Sequence, residues 1–162
     1  MAGALAATLA LSPAGPVASQ ATEQGCTPGP GGVDLPGGEG PDTFTGSDHR
    51  DRIHGGDGDD VIHGEGSADC LFGDTGRDAV FGDEGADRVV GGSGADTVDG
   101  GRGPDSVSGG KGSDLVRGGP GNDVVKGGIG ANVLECGPGR HDVAFAHRRD
   151  KVAKSCERTV VR

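Results

Sequence analysis

Ten aspartates recur at intervals of nine residues, Asp42, Asp51, Asp60, Asp69, Asp78, Asp87, Asp96, Asp105, Asp114 and Asp123, with Asn132 in the eleventh place. Carboxylate oxygens at one fixed period are suited to holding a hard divalent cation. Paired acids for glycoside cleavage would need a cleft and sugar-stacking aromatics, and with four Phe and no Trp or Tyr the chain offers little of the second. There is no H-E-x-x-H for zinc and no G-x-S-x-G nucleophile elbow. His49, His54, His63, His141 and His147 are read as surface residues rather than ligands or bases. No enzymatic activity is expected.

The elements that must position these acids follow from the residues between them. From Gly37 to Glu135 the phrase G-G-x-G-x-D-x-(aliphatic)-x is written eleven times without insertion. Position 1 is always glycine, from Gly37 to Gly127, and position 8 is always apolar, from Phe44 and Ile53 through Val116 and Val125 to Leu134. A fixed short period marks a solenoid, in which each repeat contacts mainly its neighbours. Positions 1 to 6 can take positive φ repeatedly and form a turn, whereas positions 7 to 9, such as Val61-Ile62-His63, form a short strand. Side chains alternate along a strand, so position 8 points inward and positions 7 and 9 outward. Polar residues at position 9, such as Thr45, His63, Asp99 and Lys126, agree with this. Phe72, Phe81 and Val90 are exceptions there, read as an exposed patch or as the docking surface for the segment around Val33 and Leu35.

One inward side chain per nonamer is a thin core for the backbone that must be ordered. Stacked turns also bring carboxylates to about 4.8 Å, where a pair repels by roughly 0.8 kcal/mol in water and about 3 kcal/mol near a protein surface. A hard cation answers both problems, because glycine-rich turns offer carbonyl oxygen beside the carboxylates and its binding becomes folding free energy. Calcium suits such a shell better than magnesium, which keeps its waters and demands octahedral geometry.

The segment Gly55-Gly56-Asp57-Gly58-Asp59-Asp60-Val61-Ile62-His63 is similar to the repeat of the haemolysin-type calcium-binding (RTX) proteins, and the match covers residues 37 to 135. The resemblance implies an all-β fold, a right-handed parallel β-roll with two nonamers per coil. It further implies that Ca2+ lies between turns two repeats apart, held by turn carbonyls and by the position 6 aspartates of both turns. On that rule the expected metal ligands are Asp42, Asp60, Asp78, Asp96 and Asp114 on one side and Asp87, Asp105 and Asp123 on the other, giving about six calcium sites. Position 4 is His49 in the second repeat and Ser67 in the fourth. Sites using Asp51 and Asp69 are therefore expected to be damaged, and the pair Asp114 with Asn132 loses a charge.

The flanks complete the organisation. Residues 1 to 21 carry no charge and include the apolar run Ala4 to Leu11, which reads as a signal peptide, too short to span a membrane. Residues 22 to 36 are expected to drape over the first coil. Residues 136 to 162 carry seven Lys or Arg against three acids, so an overall charge of -10 divides into +4 here and -14 elsewhere. This basic segment is read as a cap on the last coil, with Val143, Phe145, Val152 and Val160 as its apolar contacts. Four cysteines in an exported chain imply two disulfides; of three possible pairings, Cys26 with Cys70 and Cys136 with Cys156 is favoured. The expectation is thus a secreted, monomeric, calcium-binding repeat protein with disulfide-linked end caps, which binds no nucleic acid. The alternative is a cell-surface structural or adhesion component in which calcium is only a support, with a cell-surface polymer as partner.

Overall fold

Each nonamer becomes one short strand and one turn. The computed structural model describes residues 25–162; the expected signal peptide lies outside the described residues. Among them are fifteen strands and no helix: β1 (Asp34–Glu39), β2 (Thr43–Ser47), β3 (Arg52–Asp57), β4 (Val61–Glu65), β5 (Cys70–Thr75), β6 (Ala79–Phe81), β7 (Arg88–Ser93), β8 (Thr97–Asp99), β9 (Ser106–Gly112), β10 (Leu115–Arg117), β11 (Val124–Gly130), β12 (Val133–Glu135), β13 (Val143–Ala146), β14 (Lys151–Val152) and β15 (Arg158–Val161). Odd-numbered strands form one eight-stranded sheet and even-numbered strands a seven-stranded one, each in unbroken order. Every pairing is parallel, and through the repeats the partners are 18 residues apart, as in Ile53 with Leu71 and Ile62 with Val80. The chain is a parallel β-roll in which two nonamers make one coil.

The core is a double file of position 8 side chains. Ile53, Ile62, Leu71, Val80, Val89, Val98, Val107, Val116, Val125 and Leu134 are fully buried, with Leu35 and Phe44 closing the N-terminal end. β-Branched valine suits this single inward position. Position 1 glycine lies beside it: a Cβ on Gly91 would stand 2.6 Å from the carbonyl oxygen of Gly109 and 2.7 Å from Asp96 Oδ2. No side chain fits between stacked coils there.

Both ends differ from expectation. The N-terminal segment extends the roll instead of only draping it: Leu35 pairs with Ile53 in β1, nine residues before Phe44 and in phase with position 8. At the other end β13, β14 and β15 add strands to both sheets. One extra residue between β12 and β13 shifts the register, so Val124 pairs with Val143, 19 residues on. The inward residues of the cap are therefore Ala144, Ala146 and Val152, while Val143, Phe145 and Val160 fall on the opposite, outer side. A shift of one residue exchanges the faces of a strand.

Two disulfides are present, Cys26–Cys70 and Cys136–Cys156, the favoured pairing. Cys26 and Cys70 form with Phe72 a second apolar cluster outside the main core, against which Val90 packs. Phe72 is thus buried by Cys26, not exposed or covered by Val33 and Leu35. Its ring stacks on His54, and Phe81 stacks on His63 across the other sheet. Cys136 is fully buried in the main core, at the place where earlier repeats have glycine.

Candidate metal centre

The turns bring the aspartates into two continuous ladders. On one side the Oδ1 of Asp60 accepts the backbone N–H of Asp42 at 2.8 Å, and Asp78, Asp96 and Asp114 repeat the bond to Asp60, Asp78 and Asp96 at 2.9, 3.0 and 3.1 Å. On the other side Asp69, Asp87, Asp105 and Asp123 accept from Asp51, Asp69, Asp87 and Asp105 at 2.8 to 2.9 Å. The turn places each carboxylate under the backbone of the coil before it, so one oxygen replaces a missing ladder partner. Asp51 through Asp123 are all buried, at 3% exposure or less, whereas Asp42 is half-buried at the N-terminal end.

The second oxygen has no such partner. Nine Oδ2 atoms, those of Asp60, Asp69, Asp78, Asp87, Asp96, Asp105, Asp114, Asp123 and Asp142, are buried without a hydrogen bond among the described residues. A buried, unpaired carboxylate oxygen is costly unless a cation or proton meets it. The pKa values respond accordingly. Burial raises Asp87 and Asp105 to about 7, opposed by the backbone hydrogen bond and assisted by the next carboxylate in the column. Burial likewise raises Asp69, Asp78, Asp96 and Asp123 to about 6, and Asp114 is raised by the same cause.

The residues present fit a calcium ion. The free donors are hard oxygens in a file one coil apart. Among the described residues no three acid, His or Cys side chains converge on one point. A cation held here takes its remaining ligands from backbone carbonyl or water oxygen, the mixed oxygen shell calcium accepts. His54 and His63 pair with other acids: His54 Nδ1 lies 2.9 Å from Asp74 Oδ2 and His63 Nδ1 3.0 Å from Asp83 Oδ2, on the outer faces.

The ladders run unbroken through the irregular repeats. Ser67 adopts φ +87°, the left-handed conformation glycine would take, and Asp69 still receives Asp51 N–H at 2.8 Å. The irregular second repeat does differ at Asp51: its Oδ2, alone among the buried repeat aspartates, accepts hydrogen bonds, from the Ser47 N–H at 2.5 Å and the Ser47 hydroxyl at 3.1 Å. Asn132 keeps the ladder intact by accepting from Asp114 at 2.9 Å, while its Nδ2 donates to Asp150 Oδ1 at 3.1 Å. Three acids beyond the repeats continue the pattern: Asp142 accepts from Asp123, Asp150 from Asn132 and Glu157 from Asp142. Asp150 lies 18 residues after Asn132, so phase alone could have revealed it. Gly137-Pro138-Gly139 before Asp142 echoes Gly119-Pro120-Gly121 before Asp123, but one added residue breaks the phase and hides the match.

A family model describing the RTX calcium-binding nonapeptide repeat matches four times, over residues 36–69, 45–80, 72–107 and 99–134, together more than half of the chain. No curated protein and no solved structure matches it.

Proposed function

Because the chain belongs to the RTX calcium-binding nonapeptide-repeat family, we propose that it is a secreted module whose folding is completed by extracellular calcium, held by the two aspartate ladders. Asp42, Asp60, Asp78, Asp96 and Asp114 serve one column; Asp87, Asp105 and Asp123 serve the other, and Asp69 joins them because its Oδ2 is unpartnered in the same way, whereas both oxygens of Asp51 are taken, by Val33 and Ser47. The observation that carries this reading is the file of buried, unpartnered Oδ2 atoms. Their charge is unfavourable in the fold until a cation lies against it, so binding free energy adds to folding free energy. Sites of the extracellular class bind at about 0.1 to 1 mM.

Secretion is supported by the two closed disulfides, which persist in oxidising compartments. The role is binding and not catalysis: each turn contributes one acid to a column, and the acids do not face one another across a cleft. The test is a calcium titration of the oxidised protein, followed by circular dichroism and calorimetry. We expect a cooperative gain of β signal near 0.1 to 1 mM calcium and several ions bound per chain. A chain as structured in chelator as in calcium, with no heat of binding, would sink the proposal.

A further inference from the structure

The two sheets of the roll differ in charge in a way the repeat does not require. The last five strands of the larger sheet, β7, β9, β11, β13 and β15, contain no Asp or Glu but do contain Arg88, Lys111, Lys126 and Arg158. Arg162 follows directly, its guanidinium 5.7 Å from the centroid of the Phe145 ring. The smaller sheet carries Glu65, Asp99 and Glu135 in its strands, and β1, β3 and β5 carry Asp34, Glu39, Asp57 and Asp74. In a chain of net charge -10, half of one face thus carries five of the fifteen Lys and Arg and no acid in its strands.

These cations are unpaired. Arg52, Arg77, Arg102 and Arg117 each form an ion pair with an acid, whereas Arg88, Lys126, Arg158 and Arg162 form none among the described residues. Arg88 goes further, since its Nε is buried without a hydrogen-bond partner. Arg88 lines a hollow shared with Asp69, Asp87 and Asp105, whereas a separate pocket of about 480 Å³ over β11 and β13 is lined by Ser108, Lys126, Phe145, His147 and Arg162 and by no acid. Cations, an aromatic ring and a hydroxyl around one hollow suit an anionic sugar, whose carboxylate meets the charge while its apolar ring face meets Phe145.

The spacing says which polyanion. Arg88 on β7 and Arg158 on β15 stand in one file, and Lys126 on β11 stands midway between them but two residues to the side, so successive cations are about 10 to 12 Å apart at the usual strand separation and rise. Nucleic acid presents a phosphate every 3.4 Å or so along each strand, far denser than this array can match. We propose that the outer face of β7 to β15 is a docking surface for a linear acidic polysaccharide of low charge density, lying along the axis of the roll with one sugar unit against Phe145. This goes beyond calcium binding: the face is made of strands, not of the turns that carry the aspartate ladders.

The test uses the full, calcium-loaded chain with labelled hyaluronan, which bears one carboxylate per disaccharide, and with neutral dextran and single-stranded DNA for comparison. Saturable hyaluronan binding is expected, weakening as salt rises, and about tenfold weaker in Lys126→Glu and Arg158→Glu. Lys151→Glu, on the smaller sheet, leaves it unchanged. Circular dichroism in calcium accompanies each variant, and Lys126→Gln, which removes the charge without reversing it, gives a second reading if a charge reversal fails to fold. Hyaluronan bound no better than dextran, DNA bound more tightly than hyaluronan, or an equal loss in Lys151→Glu each overturns the proposal. Failure of the calcium reading would show separately, in the calcium titration.

Discussion

Asp105 holds the backbone N–H of Asp87 with its Oδ1 at 2.8 Å while its Oδ2 stays buried and unpartnered. One carboxylate therefore has two distinct oxygens, one in a structural bond to the preceding coil and one left without a partner.

Substitution should separate the two. Asp105→Asn keeps an Oδ1 acceptor and removes the charge, so the calcium-free roll should be no less stable while calcium affinity at the adjoining turns falls at least severalfold. Asp105→Ala strands a buried donor as well, costing about 1 to 3 kcal/mol. Thermal unfolding with and without calcium, beside calorimetry, checks both; an Asn variant that binds calcium like the parent would contradict the assignment.

Stability should depend on pH with opposite sign in the two states. Burial raises Asp87 and Asp105 to about 7 and Asp69, Asp78, Asp96 and Asp123 to about 6, above their unfolded value of 3.8. The folded state then holds more protons than the unfolded one between pH 4 and 7 or so, and stability falls as pH rises through that window. In chelator the roll should be most stable near pH 4 and lose stability towards pH 7. With calcium the order reverses, because the ion displaces those protons, and affinity should rise from pH 5 to 7. Melting curves at fixed calcium and in chelator decide it, and parallel slopes would count against the ladder as the metal site.

Glycine at position 1 should be intolerant of even one methyl group. Gly91→Ala puts a Cβ 2.6 Å from a backbone carbonyl of the next coil, which cannot move alone. A loss of about 1 to 3 kcal/mol is expected. Gly38→Ala meets nothing within 4 Å and should change stability by less than about 0.5 kcal/mol. Urea unfolding in calcium compares them.

The two disulfides should rank against their loop lengths. Cys26–Cys70 spans 44 residues and Cys136–Cys156 spans 20, so chain entropy alone favours the first, by about 0.7 kcal/mol. Cys136, however, is fully buried in the main core and ties down the cap that continues both sheets. Replacing both Cys136 and Cys156 by Ser should therefore cost more than the same change at Cys26 and Cys70, by denaturant midpoint in saturating calcium.

Much of the site was legible because it is periodic. Asp60, Asp78, Asp87, Asp96, Asp105, Asp114 and Asp123 share one phase, and equal spacing along a stacked chain means equal place in every coil. Asp142 and Glu157 were not legible, since one inserted residue moves Asp142 off the phase and Glu157 substitutes a longer side chain for the expected aspartate. Nor was the continuity at Ser67: only the folded backbone reveals that a non-glycine residue there takes positive φ and keeps the turn.

By itself the order of residues determined the coil. Nine-residue phasing of Gly, Asp and an aliphatic residue specifies turn, carboxylate ladder and core together, because each depends on local conformation and on the neighbour two repeats away. What only the tertiary structure decided are relations between residues with no common period: the burial of Phe72 under Cys26, the outward turn of Phe145 after the register shift, and the gathering of Arg88, Lys126 and Arg158 on one face. Those depend on which strands lie side by side and which way each side chain points, and no repeat unit encodes that.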